Sequence, residues 1–366
     1  MAYTDIDDSS AHFQIKIYTG DGNNNRAITN DGNSDLQPDF IWLKDRNVGF
    51  GHRLTDSTRG ITKNLASETQ GAESTSTTQY ASWNTDGFTL IYGGQQVPNY
   101  NAHTYVAWQW KANAGTTTSV SASGTGSGCV NACTHQANTT AGFSIITYTG
   151  RDDQLSNGQE SKLTHGLGVP ADFFICKRRD GTSNWYVMGK YVTTDSAYSS
   201  NEHLILNQTA TINGNSYTGA TASDATYIYL GNQLVNSVDS WVGYAFAEKQ
   251  GYSKFGKYIG NGNASGPFVY TGFKTAWVMI KGVDVADDWY IFDNKRAGYN
   301  PAVFRLRANT VGTETTGTDN TVDHLSNGFK LRFTGGSING SNSTYTYMAF
   351  AENPFTTSTG VSATAR

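Results

Sequence analysis

The sequence predicts an all-β fold, and three observations carry the prediction. Charged residues make up only 15 % of the 366 residues, and the long runs of Ala, Leu, Glu and Lys that favour helices are missing. Tyr (21), Phe (17) and Trp (8) supply the large apolar groups. They sit in short runs with β-branched residues, punctuated by Gly, Asn, Asp and Ser, as strands between tight turns do. Finally, one alternating run recurs. Tyr345-Thr346-Tyr347-Met348-Ala349-Phe350-Ala351-Glu352 is matched by Trp241-Val242-Gly243-Tyr244-Ala245-Phe246-Ala247-Glu248, and more loosely by Tyr105-Val106-Ala107-Trp108-Gln109-Trp110-Lys111-Ala112. Aromatic and small residues alternate there, as in a strand packed between two layers.

Met1 to Ala11 is a short polar lead. Phe13, Ile15 and Ile17 then alternate with Gln14 and Lys16, which reads as a half-buried strand ending at the turn Thr19-Gly20-Asp21-Gly22. Phe143–Thr149 with Gly150, and Phe255–Ile259 with Gly260, repeat this opening strand. A second strand recurs as Asp39–Lys44, Asp172–Lys177 and Ala276–Lys281. A third recurs as His52–Thr55, Trp185–Met188 and Trp289–Phe292. Asp86-Gly87-Phe88-Thr89-Leu90 and Asn327-Gly328-Phe329-Lys330-Leu331 are turns leading into a fourth, with Tyr227–Leu230 in that place in the middle copy. The matching order implies an internal repeat. The expected architecture is three tandem antiparallel β-sandwich repeats of jelly-roll or lectin-like type: 1–112, 143–250 and 251–366. The segment 113–142, rich in Ser, Thr, Gly and Ala, reads as a linker or arm. The end, Thr356 to Arg366, reads as a frayed polar tail. The opening strand is expected to pair with the closing strand of its own unit, because both are too apolar to lie at an edge. On that expectation each unit closes as a separable domain.

Net charge is −4 with no basic block, so sequence-independent nucleic-acid binding is not expected. No apolar stretch has the length of a membrane helix. The polar, acidic N-terminus does not read as a signal peptide, and cysteines are few, so synthesis in a reducing cytoplasm is expected.

Several motifs resemble repeats in virion proteins of tailed bacteriophages, marine ones especially. They are Tyr148-Thr149-Gly150, His165-Gly166-Leu167-Gly168, Gly251-Tyr252-Ser253-Lys254-Phe255-Gly256, Gly266–Phe273, Asp293-Asn294-Lys295-Arg296, Ala349–Phe355 and the opening Asn30–Phe40. The resemblance covers nearly the whole chain, Phe13 to Phe355. It implies a structural or attachment protein, tail-fibre-like or head-decorating, with lectin-like sandwiches and no catalytic residues. Two places depart from it: the second unit lacks the Asp-Gly-Phe turn, and the first ends in Ala107-Trp108-Gln109-Trp110.

The residue patterns that carry chemistry are weak. Cys129-Val130-Asn131-Ala132-Cys133-Thr134-His135 offers three zinc ligands with no second pair, so no metal is expected there. Asp21-Gly22-Asn23 begins like a calcium loop, but Arg26 and Gly32 stand where that loop needs Gly and Glu. Asp284, Asp287 and Asp288 read as a solvated loop, with loose calcium binding as the sharper alternative. Asp152 and Asp153 are adjacent, so on a strand they would face opposite sides. Cys176 reads as core, and no hydrolase motif is present. Asp56 with Arg59, and Asp293 with Arg296, share an Asp-x-x-Arg spacing after the third strand. They read either as turn stitches or as contacts for a sugar or partner. Trp185 and Trp289 read as core or as sugar-stacking platforms.

The expected function is thus a non-enzymatic component of a bacteriophage virion, assembled in host cytoplasm without a cofactor. Its partners are other virion proteins and a host cell-surface glycan, and an oligomer is compatible with the sequence. The alternatives are a carbohydrate-binding lectin-like module and, behind it, a polysaccharide depolymerase.

Overall fold

The computed structural model describes residues 3–94, 98–121, 132–150, 160–194, 202–214, 219–235 and 238–364. Strands dominate, and the only α-helices among the described residues are the single turns Asn294–Ala297 and Gly336–Asn339. The fold is all-β and antiparallel throughout.

Each unit has a large sheet in which opening, closing, second and third strands lie side by side in that order. In unit one these are Phe13–Thr19, Thr104–Trp110, Phe40–Asp45 and Arg53–Asp56. In unit two they are Phe143–Thr149, Ser240–Phe246, Phe173–Arg178 and Trp185–Gly189. In unit three they are Ser253–Ile259, Thr344–Pro354, Phe273–Gly282 and Tyr290–Asp293. The closing strand is central, and it pairs on one side with the opening strand of its own unit: Ile15 faces Trp108, Ile145 faces Tyr244, and Phe255 faces Met348. Lys44, Lys177 and Lys281 occupy one register, opposite Val106, Val242 and Thr346.

A three-stranded sheet covers the outer face of each large sheet. Its middle strand is Phe88–Leu90, Tyr227–Gly231 or Gly328–Leu331, the fourth pattern of the sequence. Gly87 enters the first of these with φ +92°, and a Cβ on it would stand 2.0 Å from the Ile28 carbonyl oxygen. Only glycine fits so close an approach at that angle.

The alternation in the closing strand now has a physical cause. Ala107, Ala245, Tyr347 and Ala349 face the outer cores, one per unit. Trp108, Trp110, Tyr244, Phe246, Met348 and Phe350 face the other way, into one core to which all three units contribute. Phe350 lies 5.2 Å from Phe13, 5.5 Å from Trp110, 5.9 Å from Phe246 and 5.8 Å from Trp277, ring centre to ring centre. The expectation of separable units therefore needs correcting: each unit has its own outer core, but the inner faces of all three large sheets bury one another.

Two further readings change. Part of the expected linker is sheet. Thr118–Val120 and Cys133–Asn138 pair with each other, and Cys133–Asn138 pairs with the opening strand of unit two, widening that sheet to seven strands. The end of the chain, read as frayed, is hydrogen-bonded: Asp7 accepts from the Ser358 amide and hydroxyl, and the Ala363 amide donates to the Phe355 carbonyl.

Candidate functional site

The candidate residues lie inside the molecule, where the units meet. Asp56 and Arg59 are fully buried, as are Asp293 and Arg296. Each Asp ends a third strand, and the following turn brings the Arg back over it. Arg59 Nε donates to Asp56 Oδ2 at 2.5 Å, its backbone amide donates to Oδ1, and Nη2 donates to the Leu54 carbonyl. Arg296 repeats all three, with Asp293 and the Ile291 carbonyl. A side chain from the neighbouring unit completes each carboxylate: Tyr244 Oη on Asp56 at 2.8 Å, and Trp108 Nε1 on Asp293 at 2.9 Å. Burial pushes the Asp293 pKa up, but the Arg296 guanidinium and these donors outweigh it and hold Asp293 low. Burial opposes the charge on Arg59, and Asp56 with its neighbours raises the Arg59 pKa nonetheless. The pairs are turn stitches, one of the two readings of the spacing, but they are buried where the units meet and not open to a sugar.

Each Arg also holds a glutamate, and the glutamate reaches into the next unit. Glu73 bridges Arg59 and Arg179, the second residue after Lys177. Glu314 bridges Arg296 and Arg46, the second residue after Lys44. The amides of Glu73 and Glu314 donate to the carbonyls of Arg179 and Arg46, both at 2.7 Å. At the third junction the amide of Ile212 donates to the carbonyl of Val283, the second residue after Lys281. There Gly189 and Val192 replace the Asp and Arg. The units therefore form a closed ring, one onto two, two onto three and three onto one. Two junctions carry two acids and two arginines each, and in the third Gly189, Val192 and Ile212 stand in their place.

The aromatic candidates belong to the same ring. Trp185 Nε1 donates to the Ala66 carbonyl of unit one at 2.8 Å, and Trp289 Nε1 to the Ile205 carbonyl of unit two at 3.0 Å. His52, at the same place in unit one, lies 3.0 Å from the Arg307 carbonyl of unit three through Nε2. Trp42 Nε1 donates to His52 Nδ1, which fixes the Nε2–H tautomer. Burial, with Lys44 beside it, pushes the His52 pKa down to about 3. Trp185 and Trp289 are buried, so neither offers a face to a sugar.

Sequence reasoning missed the three lysines as ring elements. Lys44, Lys177 and Lys281 are buried. Each ammonium donates to the carbonyl of the next residue and to a carbonyl of another unit: Val311, Gln70 and Thr209 respectively. Burial pushes all three pKa values down to about 8. Their shared register was the signal that could have found them.

The remaining candidates stand apart. Asp21 accepts from Asn99 Nδ2 and the Asn23 amide. Asp284 accepts from the Thr344 amide, Asp287 from Tyr290 Oη, and Asp288 pairs with Arg307. Cys133 and Cys176 are buried. Cys129, Asp152 and Asp153 lie outside the described residues. No group of three His, Cys, Asp or Glu among the described residues could hold a metal ion, and no helix among them is long and apolar enough to cross a membrane.

Two features of the described surface bear on binding. A groove of about 290 Å³ runs between units one and three, beside Phe13, Ile15, Asn294, Lys295 and Glu352. On the short edge strand Phe268–Tyr270, both aromatic side chains point outward, 45 % and 55 % exposed.

A family model described as a domain of unknown function (DUF7483) matches residues 8–354 in one span, across all three units. Comparison with curated proteins and with solved structures found no match.

Proposed function

The chain belongs to the DUF7483 family, and we propose that it is a non-enzymatic structural component of a tailed-bacteriophage particle. In this reading it is a fibre-like or capsid-decorating appendage, assembled in host cytoplasm, bound to other virion proteins and involved in attachment. The observation that carries the reading is the closed ring. The buried aspartates, arginines and lysines and the indole N–H groups of Trp185 and Trp289 are used to lock one unit onto the next, which makes a stiff body whose buried polar groups at the junctions are hydrogen-bonded. The motif resemblance supplies the virion setting. Quantitative mass spectrometry of density-purified particles tests it: the chain should co-purify with the major capsid protein at a fixed ratio. Its absence from particles, with the protein present in the lysate, would contradict the proposal.

One observation favours a glycan-binding variant of this role. Phe268 and Tyr270 present two aromatic faces on one side of an edge strand, the arrangement on which sugar rings stack. Titration with host surface polysaccharide, comparing the parent chain with Tyr270→Ala, tests this. Binding should weaken in the variant, and no binding to either chain removes the variant reading.

A further inference from the structure

We propose that the groove between units one and three is an acceptor slot for an extended segment of a partner protein, which adds as a strand to the free edge Phe13–Tyr18. The pattern for this contact lies within the chain itself. In unit two the opening strand has a neighbour on its outer side. Cys133–Asn138 runs antiparallel to it, with Gln136 opposite Ile145 and Asn138 opposite Phe143. That strand is wedged against unit one. Gln136 Nε2 donates to the hydroxyls of Ser57 and Thr58, at 2.8 and 2.9 Å. Gln136 Oε1 accepts from the amides of Asn113 and Gly115. Asn138 Nδ2 donates to the Lys111 carbonyl.

The groove is the same place one junction further round the ring. Phe13, Gln14 and Ile15 line it and correspond to Phe143, Ser144 and Ile145, because Phe13 faces Trp110 as Phe143 faces Phe246. Asn294 and Lys295 follow Asp293 as Ser57 and Thr58 follow Asp56. Ala351, Glu352 and Asn353 follow Phe350 as Lys111, Ala112 and Asn113 follow Trp110. All five also line the groove. Thus Ser57, Thr58, Lys111 and Asn113, which hold Cys133–Asn138, have counterparts around the groove, but among the described residues no strand of this chain lies there. Among the described residues, the opening strand of unit one has the closing strand as its only strand partner.

The edge has the right polarity. The His12 carbonyl accepts from the Lys111 amide, and the Gly20 amide donates to the His103 carbonyl. Antiparallel strands bond through alternate residues, so the even-numbered residues bond inward. The amides and carbonyls of Phe13 and Ile15 therefore point at the groove, and those of Ile17 lie on the same outer side of the strand just beyond it. Extended peptides add to such edges through main-chain hydrogen bonds. The side chains around the slot narrow the partner's chemistry. Asp8, Asp31 and Glu352 line the slot beside Lys295: Asp31 is held by Lys16 and Lys295, Glu352 by Lys274 and Asn294 Nδ2, and Asp8 by the hydroxyls of Ser10 and Ser34, with no ion pair on Asp8 among the described residues. A strand with an amide or a basic side chain where Gln136 stands in unit two would find carboxylate acceptors there. The proposal does not depend on the particle reading above.

The test uses the full chain and two labelled synthetic peptides, one with the sequence of residues 134–139 and one with the same sequence carrying Gln136→Arg. Fluorescence anisotropy should show saturable binding of both, tighter for the arginine peptide. Ile17→Pro removes one outward amide at a half-exposed edge position, where proline is tolerated. It should weaken both peptides roughly tenfold, about the worth of one or two hydrogen bonds. Lys295→Glu makes the rim more acidic and should tighten the arginine peptide severalfold whatever Ile17→Pro does to folding. No saturable binding of either peptide overturns the proposal, as does binding unchanged by both substitutions. A concentration-dependent dimer in sedimentation that Ile17→Pro abolishes would give the slot to a second copy of this chain and would also overturn it.

Discussion

Glu314 and Arg46 are 268 residues apart in the sequence and hold each other by two hydrogen bonds, at 3.1 and 2.7 Å. The same glutamate holds the buried Arg296. One side chain thus joins the last unit to the first and closes the ring. Glu314→Ala leaves the Arg296 guanidinium short of a partner where water cannot replace it. The expected loss is about 3 kcal/mol, as when one partner of a buried pair is removed. Asp31→Ala breaks the partly exposed pairs with Lys16 and Lys295 and should cost about 1 kcal/mol or less. Denaturant unfolding of both variants measures the contrast, and equal losses would contradict it.

The junction without an acid–arginine network predicts the opposite sensitivity. Val192 is buried in the shared core, at the place that Arg59 and Arg296 hold elsewhere, but Gly189 and Ile212 stand where their acids would be. Val192→Arg buries a guanidinium without a carboxylate and should destabilise by more than about 3 kcal/mol. Gly189→Asp cannot rescue it, because a Cβ there would lie 2.3 Å from the Asp172 carbonyl oxygen. A double variant as stable as the parent would contradict this assignment.

The buried bases give the protein a defined response to pH. The three lysines titrate near 8 in the folded chain, against an ordinary value of 10.5. Between these values the unfolded chain holds protons that the folded chain has released, so stability should rise with pH from about 8. The contribution is lost again as pH falls back through 8. Above about 10 the order reverses, because burial holds tyrosines such as Tyr80 and Tyr252 protonated while the unfolded chain ionises. On the acid side, His52 titrates near 3 when folded and near 6.5 when unfolded, so its contribution is lost as pH falls across that window. Unfolding midpoints measured from pH 3 to 11 should therefore climb between 8 and 10. Lys177→Met should reduce that climb, and a flat profile in the parent chain would count against the lysine assignment.

Much of the fold was legible because sheet periodicity is local. Alternation located the opening and closing strands, and the shared positions of Lys44, Lys177 and Lys281 aligned the three units. The pairing of opening with closing strands followed from their apolar character alone. The shared core was harder to read. A closing strand buried on both faces looks the same in sequence whether its second face meets its own sandwich or a neighbouring unit. Tyr347→Asp strikes the outer core of unit three, and units with separate cores would leave unit two folded after that change. With Phe350 on the same strand facing units one and two, loss of that strand should unfold all three. The strand Cys133–Asn138 was hidden for another reason. It is an added strand with polar side chains such as Thr134, His135 and Gln136, and that composition reads as linker. The buried Asp–Arg pairs were visible as spacing, but their burial depends on Glu73 and Glu314, which no local pattern connects to them.

Hydrogen exchange on Phe350→Ala tests the shared core most directly. Phe350 belongs to unit three but touches rings of units one and two, and its truncation should cost about 3 to 5 kcal/mol. If one core holds the ring together, amides in the closing strands Thr104–Trp110, Ser240–Phe246 and Thr344–Pro354 should lose protection together and by similar amounts. Protection lost only within residues 253–354, with the other two strands exchanging as in the parent chain, would contradict it.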